Sequence, residues 1–181
     1  MPNWCSVNIE IVGPTEQLSK LKDVVNADHS DKGLLETIAP PVAPDEASYD
    51  WCVENWGTKW DIGDGYAELD ELATAHPFLQ SRLTICTETA WSPPLEALNT
   101  FQEANPELFV KCWYYEPGMD FAGLWDGGAE DTLDNLHDES IDWTQGVAKE
   151  LDDQFGICEE HAQYDEEYEE EEEFDSTPTG I

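Results

Sequence analysis

The chain has 181 residues, 40% of them hydrophobic, with eight Trp, six Tyr and six Phe. That is enough apolar side chain for a core, and it excludes a wholly disordered acidic polymer. Seven Lys and Arg stand against 42 Asp and Glu, a formal net charge of −35, which disfavours binding to phosphate backbones or anionic bilayers and favours basic protein surfaces.

In chain order, the first element is a strand. Cys5, Val7, Ile9 and Ile11 alternate with polar neighbours at a period of two, and Gly13-Pro14 breaks the pattern. A helix follows from Thr15, an N-cap residue type, with Leu18, Leu21, Val24 and Val25 on one stripe. Gly33 and the segment 34–38 suggest a second short strand closed by Pro40-Pro41. Residues 40–66 read as a long irregular insertion rich in Pro, Gly and Trp. Residues 70–75 suggest a short helix. A further strand over 82–89 places Leu83, Ile85 and Thr87 on one side. Ser92 and Pro93 then open a helix bearing Leu95, Leu98 and Phe101, which Asn105-Pro106 ends. Residues 108–116 form the next strand, stopped by Pro117-Gly118. Two strand–helix–strand units of this kind predict an α+β fold. The expectation is a ferredoxin-like βαβ–βαβ antiparallel sheet over 1–125, with helices on one face.

The composition changes after this point. Residues 126–181 hold 21 acidic residues and one basic residue, Lys149. Trp143, Val147, Leu151 and Phe155 recur every four residues and mark an amphipathic helix over 143–155, with Gly156 as its stop. The acidic extension is taken as 126–175, ending in the run YDEEYEEEEEFD, and 176–181 as a disordered tail.

Four stretches together resemble a known family: MPNWC at 1–5, NWGTKWD at 55–61, TAWSPP at 89–94 and YYEPGMDFAG at 114–123. The combination is similar to the YubB-like family of phage and plasmid proteins and covers roughly residues 1–125. The resemblance implies a ferredoxin-like domain and a mobile-element origin. It supplies no catalytic residues that map onto this chain, and the acidic extension goes beyond the family's pattern.

No catalytic set emerges from the residues themselves. Removal of Met1 would expose Pro2, and an N-terminal proline can act as a base in tautomerase-like folds, but no arginine lies near it in sequence. His29, His76, His137 and His161 form no H-x-x-x-H pair, and the Asp61 and Asp126 segments fail the calcium-loop pattern, so no metal site and no cofactor are expected. Cys5, Cys52, Cys86, Cys112 and Cys158 show no C-x-x-C spacing, which points to reduced thiols. The N-terminal segment has neither the basic region nor the apolar run of a signal peptide, and no stretch approaches the ~20 apolar residues of a membrane span. A cytoplasmic protein is therefore expected, in the host cytoplasm if phage-encoded.

The functional expectation is an acidic inhibitor that blocks a basic, nucleic-acid-binding host or defence protein. Duplex DNA carries one charge per ~1.7 Å, so the net charge corresponds to roughly 60 Å of duplex. Its expected contacts are Trp143, Glu150, Asp152, Asp153, Glu159 and Glu160, continuing into Asp165, Glu166 and Glu167. The competing expectation is a small-ligand pocket for a nucleotide signal. It would be built from Asn55, Trp56, Lys59, Trp60, Trp91, Tyr115 and Met119, since aromatic side chains with a few convergent polar groups line such sites.

Overall fold

A computed structural model describes residues 3–27, 33–43, 47–62, 65–72 and 80–164. Its centre is a six-stranded sheet in the order β2-β3-β1-β4-β5-β6. Every neighbouring pair is antiparallel. The strands are β1 (Trp4–Pro14), β2 (Gly65–Leu72), β3 (Gln80–Ala90), β4 (Phe109–Glu116), β5 (Phe121–Asp126) and β6 (Ala129–Asp134). The helices are α1 (Thr15–Val25), α2 (Leu34–Ile38), α3 (Tyr49–Trp56), α4 (Leu95–Ala104) and α5 (Gly146–Phe155). Residues 157–164 are also helical. The α+β class is as expected from sequence, and no helix among the described residues is long and apolar enough to cross a membrane.

The alternation in β1 does what its pattern predicts. Cys5, Val7, Ile9 and Ile11 are buried, and the residues between them are not. Leu83 and Ile85 of β3 and Val110, Cys112 and Tyr114 of β4 point to the same face. α1 and α4 lay Leu18, Leu21, Val25, Leu98 and Phe101 on it, and α2 and α3 complete the same core with Leu34, Leu35, Cys52 and Trp56.

Several expectations are corrected. Residues 34–38 form helix α2, not a strand. The Asp61 carboxylate accepts the backbone N–H groups of Leu35 and Glu36 at 2.7 and 2.9 Å, satisfying donors that the start of a helix leaves open. The strand that pairs on β3 is instead β2, so 70–72, read as the start of a helix, are extended; 73–75 lie outside the described residues. The insertion 40–66 contains α3, which Ser48 caps by accepting the Trp51 N–H. Thr15 does not cap α1: its hydroxyl bonds that of Ser81 at 2.8 Å, tying the helix start to β3. Ser92 does not cap α4 either, because its hydroxyl donates to the Gly57 carbonyl at 2.5 Å.

The helices do not all share one face. Trp113 and Tyr115 of β4 and Ala122 and Leu124 of β5 point to the opposite side, where Leu136, Leu151 and Ile157 bury them. The expected helix over 143–155 begins at Gly146 and is terminated by Gly156 in the left-handed region, as its position implies. It docks on its own sheet through Leu151, with Val147, Phe155 and Trp143 packed alongside. The change in composition at residue 126 falls on the last residue of β5, and β6 beyond it pairs with β5 in the same sheet.

Gly123 fixes one close approach in this arrangement. A Cβ there would lie 2.2 Å from the hydroxyl oxygen of Tyr114, its partner across the β4–β5 pair. Tyr114 is buried, and its hydroxyl donates to Glu130 at 2.5 Å. Gly123→Ala should therefore expel the phenol and cost about 1–3 kcal/mol of unfolding free energy, as overpacking does. An unchanged urea midpoint would contradict this packing.

Candidate functional site

The Trp-rich motifs meet in space and divide into two roles. Trp56 belongs to the core: it is 3% exposed, its indole N–H donates to the Ala39 carbonyl at 2.8 Å, and it meets Trp51 edge-on at 5.3 Å. The Asn55 amide is held by the Trp51 carbonyl. The NWGTKWD and TAWSPP segments are bonded to one another. Thr58 donates to the Ala90 carbonyl, Ser92 to Gly57 and Thr89 to the Ser92 carbonyl. Gly57 and Trp91 both take positive φ, 81° and 73°, at this junction. Most of the motif thus stitches the long connection to the β3–α4 turn.

Lys59, Trp60 and Trp91 come together on the surface of that stitch. The Lys59 ammonium lies 4.8 Å from the Trp91 ring centroid, 4.9 Å from Trp60 and 5.7 Å from Tyr49, within cation–π range of all three. Trp4 packs edge-on against Trp60 at 6.2 Å. These aromatic rings remain partly exposed. Tyr49 and Trp4 were not foreseen as members of the cluster. Tyr115 and Met119, which were, do not line it. Tyr115 is on β4 facing the α5 side, and Met119 is exposed in the β4–β5 turn.

The carboxylates expected to meet a partner are partly engaged within the fold. Glu150 accepts the Trp113 indole N–H at 2.9 Å, and Asp152 accepts the Cys158 N–H at 2.8 Å. Asp153 pairs with Lys149, and Glu160 accepts from the Tyr115 hydroxyl. Trp143 packs on the α5 core and meets the His161 ring edge-on. Glu159 is exposed. Asp165, Glu166 and Glu167 lie outside the described residues, as do Pro2 and the tail 176–181.

A broader acidic surface lies on the sheet itself. α5 covers β4 and β5, while the outward residues of β2 and β3 stay exposed: Tyr66, Glu68, Asp70, Cys86 and Glu88, with Glu10 of β1 half-buried beside them. The cations on this face already have partners. Arg82 pairs with Glu10 at 3.1 Å, and Lys111 with Asp126 at 3.3 Å. At the opposite edge of the sheet, β6 exposes Glu130, Asp131 and Asp134, of which Glu130 and Asp134 are in register with Trp125 and Phe121 on the other face. Charged side chains at sheet edges also block edge-to-edge pairing, so β2 and β6 are protected from aggregation by the same residues.

A third place was not legible as a site. Asp120 in the β4–β5 turn, His137 after β6 and His161 in the last described helix offer ligand atoms that all lie within 4.8 Å of one another. The two imidazoles stack at 3.8 Å between centroids, tilted by 20°. The cluster opens on a cavity of about 530 Å³ whose walls include Tyr115, Pro117, Gly118 and Tyr164. Burial, the Glu160 carboxylate and the Asp120 charge all push the Tyr115 phenol up, so it stays protonated as a donor.

Of the five thiols, only Cys86 lies at one of these places, on the open sheet face beside Tyr66. Burial raises Cys112 well above its ordinary value, and burial with the nearby Glu116 charge pushes Cys5 up to about 12. Cys86 is exposed and Cys158 half-buried, whereas Cys5, Cys52 and Cys112 are buried. At about pH 8 a disulfide reagent should modify Cys86 first, Cys158 more slowly and the other three only after denaturation. Fast modification of Cys112 in the native protein would contradict the packing of β4.

No family model, curated protein or solved structure matches this chain. The class that the fold and surface define is an α+β protein with an open antiparallel sheet, strongly acidic, with one sheet face half covered by a helix.

Proposed function

We propose that this is an accessory protein of a phage or other mobile element that occupies the basic, nucleic-acid-binding surface of a host or defence protein. The observation that carries the reading is the uncompensated charge of the sheet face left open by α5. There Glu68, Asp70 and Glu88 are exposed around Tyr66, while Arg82 and Lys111 are already paired. An aromatic residue within a carboxylate field suits an arginine-rich surface, where stacking adds to charge. The sheet gives the charges fixed spacing, which a free acidic segment lacks.

We read the β2-β3-β1-β4 portion, with α1 and α4 as its crossings, as a ferredoxin-like module enlarged by the β5–β6 hairpin. The two added strands make the whole six-strand order different from that of the four-strand sandwich. This reading fits the YubB-like resemblance and its mobile-element origin, and a partner of this kind would be met in the host cytoplasm.

The immobilised protein should retain basic proteins from a bacterial lysate, and duplex DNA should displace them. Retention should fall for the triple variant Glu68→Gln/Asp70→Asn/Glu88→Gln. If duplex displaces nothing and the variant retains as much as wild type, the reading fails. A nucleotide-signal binder is the second reading, favoured by the three rings gathered round the Lys59 ammonium. It requires Trp60→Ala to abolish nucleotide binding while leaving protein retention unchanged.

A further inference from the structure

We propose that Asp120, His137 and His161 form a binding site for a zinc-class divalent cation, with open coordination positions facing the adjoining cavity. The site does not depend on the partner reading above. Three separately anchored segments deliver its donors. Asp120 sits at φ 61° in the β4–β5 turn, and its carbonyl accepts the Asn135 N–H at 3.0 Å, which locks that turn to the loop after β6. His137 follows in that loop, where buried Leu136 fixes the backbone beside it. His161 is carried by the helix that begins at fully buried Ile157, and the Asp152 carboxylate holds the start of that helix through the Cys158 N–H.

The donor set selects the metal. Two imidazoles and one carboxylate suit zinc, cobalt, nickel or ferrous iron, whereas calcium and magnesium prefer all-oxygen sites. Donors around a tetrahedral zinc at about 2.0–2.1 Å stand roughly 3.4 Å apart. The donors lie within 4.8 Å of one another, and the two stacked imidazoles must turn out of their near-parallel arrangement to aim both lone pairs at one ion. Three protein ligands beside a cavity of about 530 Å³ leave room for water or for a donor from a bound molecule. The surrounding carboxylates add to the attraction: Glu160, bonded by Tyr115, stands next to the triad. Diffuse binding to exposed carboxylates would also attract cations but would not use imidazole, and that difference makes the proposal testable.

Chelator-treated full-length protein is titrated with zinc against a chromophoric competitor. The expected result is one tight equivalent, weakened at least about tenfold by His137→Ala, by His161→Ala and by Asp120→Asn, since even residues behind the ligands cost that much at zinc sites. The double variant His29→Gln/His76→Gln should bind as wild type does. In the wild-type protein, a histidine-selective NMR spectrum should show two of the four imidazoles moving when one equivalent of zinc is added, a readout that needs no variant to fold. Unchanged affinity in the His137 and His161 variants, loss of binding in the His29/His76 variant, or movement of none or all of the imidazoles overturns the site.

Discussion

Trp56→Ala should lower unfolding free energy by about 3–5 kcal/mol, the range for removing a buried Trp or Phe from a core. The indole is 3% exposed and lies between α3 and the sheet-facing core. Its N–H donates to the Ala39 carbonyl at the end of α2, so truncation also leaves that carbonyl without its partner. The Trp51 ring, edge-on at 5.3 Å, would lose its neighbour as well. A domain of this size is stable by about 5–15 kcal/mol, so the variant should sit near the margin of folding. Trp60→Ala, in the same motif but partly exposed, should cost less than about 1 kcal/mol. Urea unfolding of the two variants checks the division directly, and equal losses would mean that the motif's two Trp side chains have not been separated correctly into core and surface.

The second large effect concerns encounter with a partner. Neutralising Glu68, Asp70 and Glu88 should lower the association rate with a basic partner by about tenfold or more, while dissociation changes less. Steering by a charged face acts over distances longer than contact and contributes 10–10³-fold in rate. Folding should survive the change because these side chains point outward from β2 and β3. Deletion of 126–181 would not be a clean test of the acidic region. It removes β6 and the residues Leu136, Leu151 and Ile157 that bury Trp113 and Tyr115, so lost binding could not be told from lost structure. Surface substitutions separate the two.

The sequence made some of this fold legible and hid the rest for physical reasons. β1 and β3 alternate cleanly because each has one buried face, β4 is a continuous apolar run because both its faces are covered from Cys112 on, and α1, α4 and α5 carry apolar stripes at helical spacing. The five residues of α2 look like a short strand, since their helical start depends on a carboxylate from Asp61, far along the chain. β2 is an edge strand with Glu and Asp on its outer face, and its acidic residues mask its period of two. Gly127-Gly128, with φ of 59° and 107°, make the β5–β6 turn, and the acidic composition that begins there hides the strand that follows.

The sites were less legible. Lys59, Trp60 and Trp91 were named, but their meeting with Tyr49 and Trp4 depends on the bonds between two loop motifs. Asp120, His137 and His161 belong to no local spacing pattern, and only the turn bond from Asn135 and the docking of the last helix bring them together. The stripe from Trp143 to Phe155 signalled a docked helix correctly, but it could not say that the chain's own sheet receives it.

The measurement that bears most directly on the electrostatic mechanism is the dissociation constant of a captured basic partner as a function of ionic strength. Exposed charges separated by more than about 8–10 Å are screened at physiological salt. Affinity should therefore fall at least about tenfold between roughly 50 and 200 mM salt, with a shallower slope for the Glu68→Gln/Asp70→Asn/Glu88→Gln variant. An affinity that stays constant across that range, in wild type and variant alike, would contradict it.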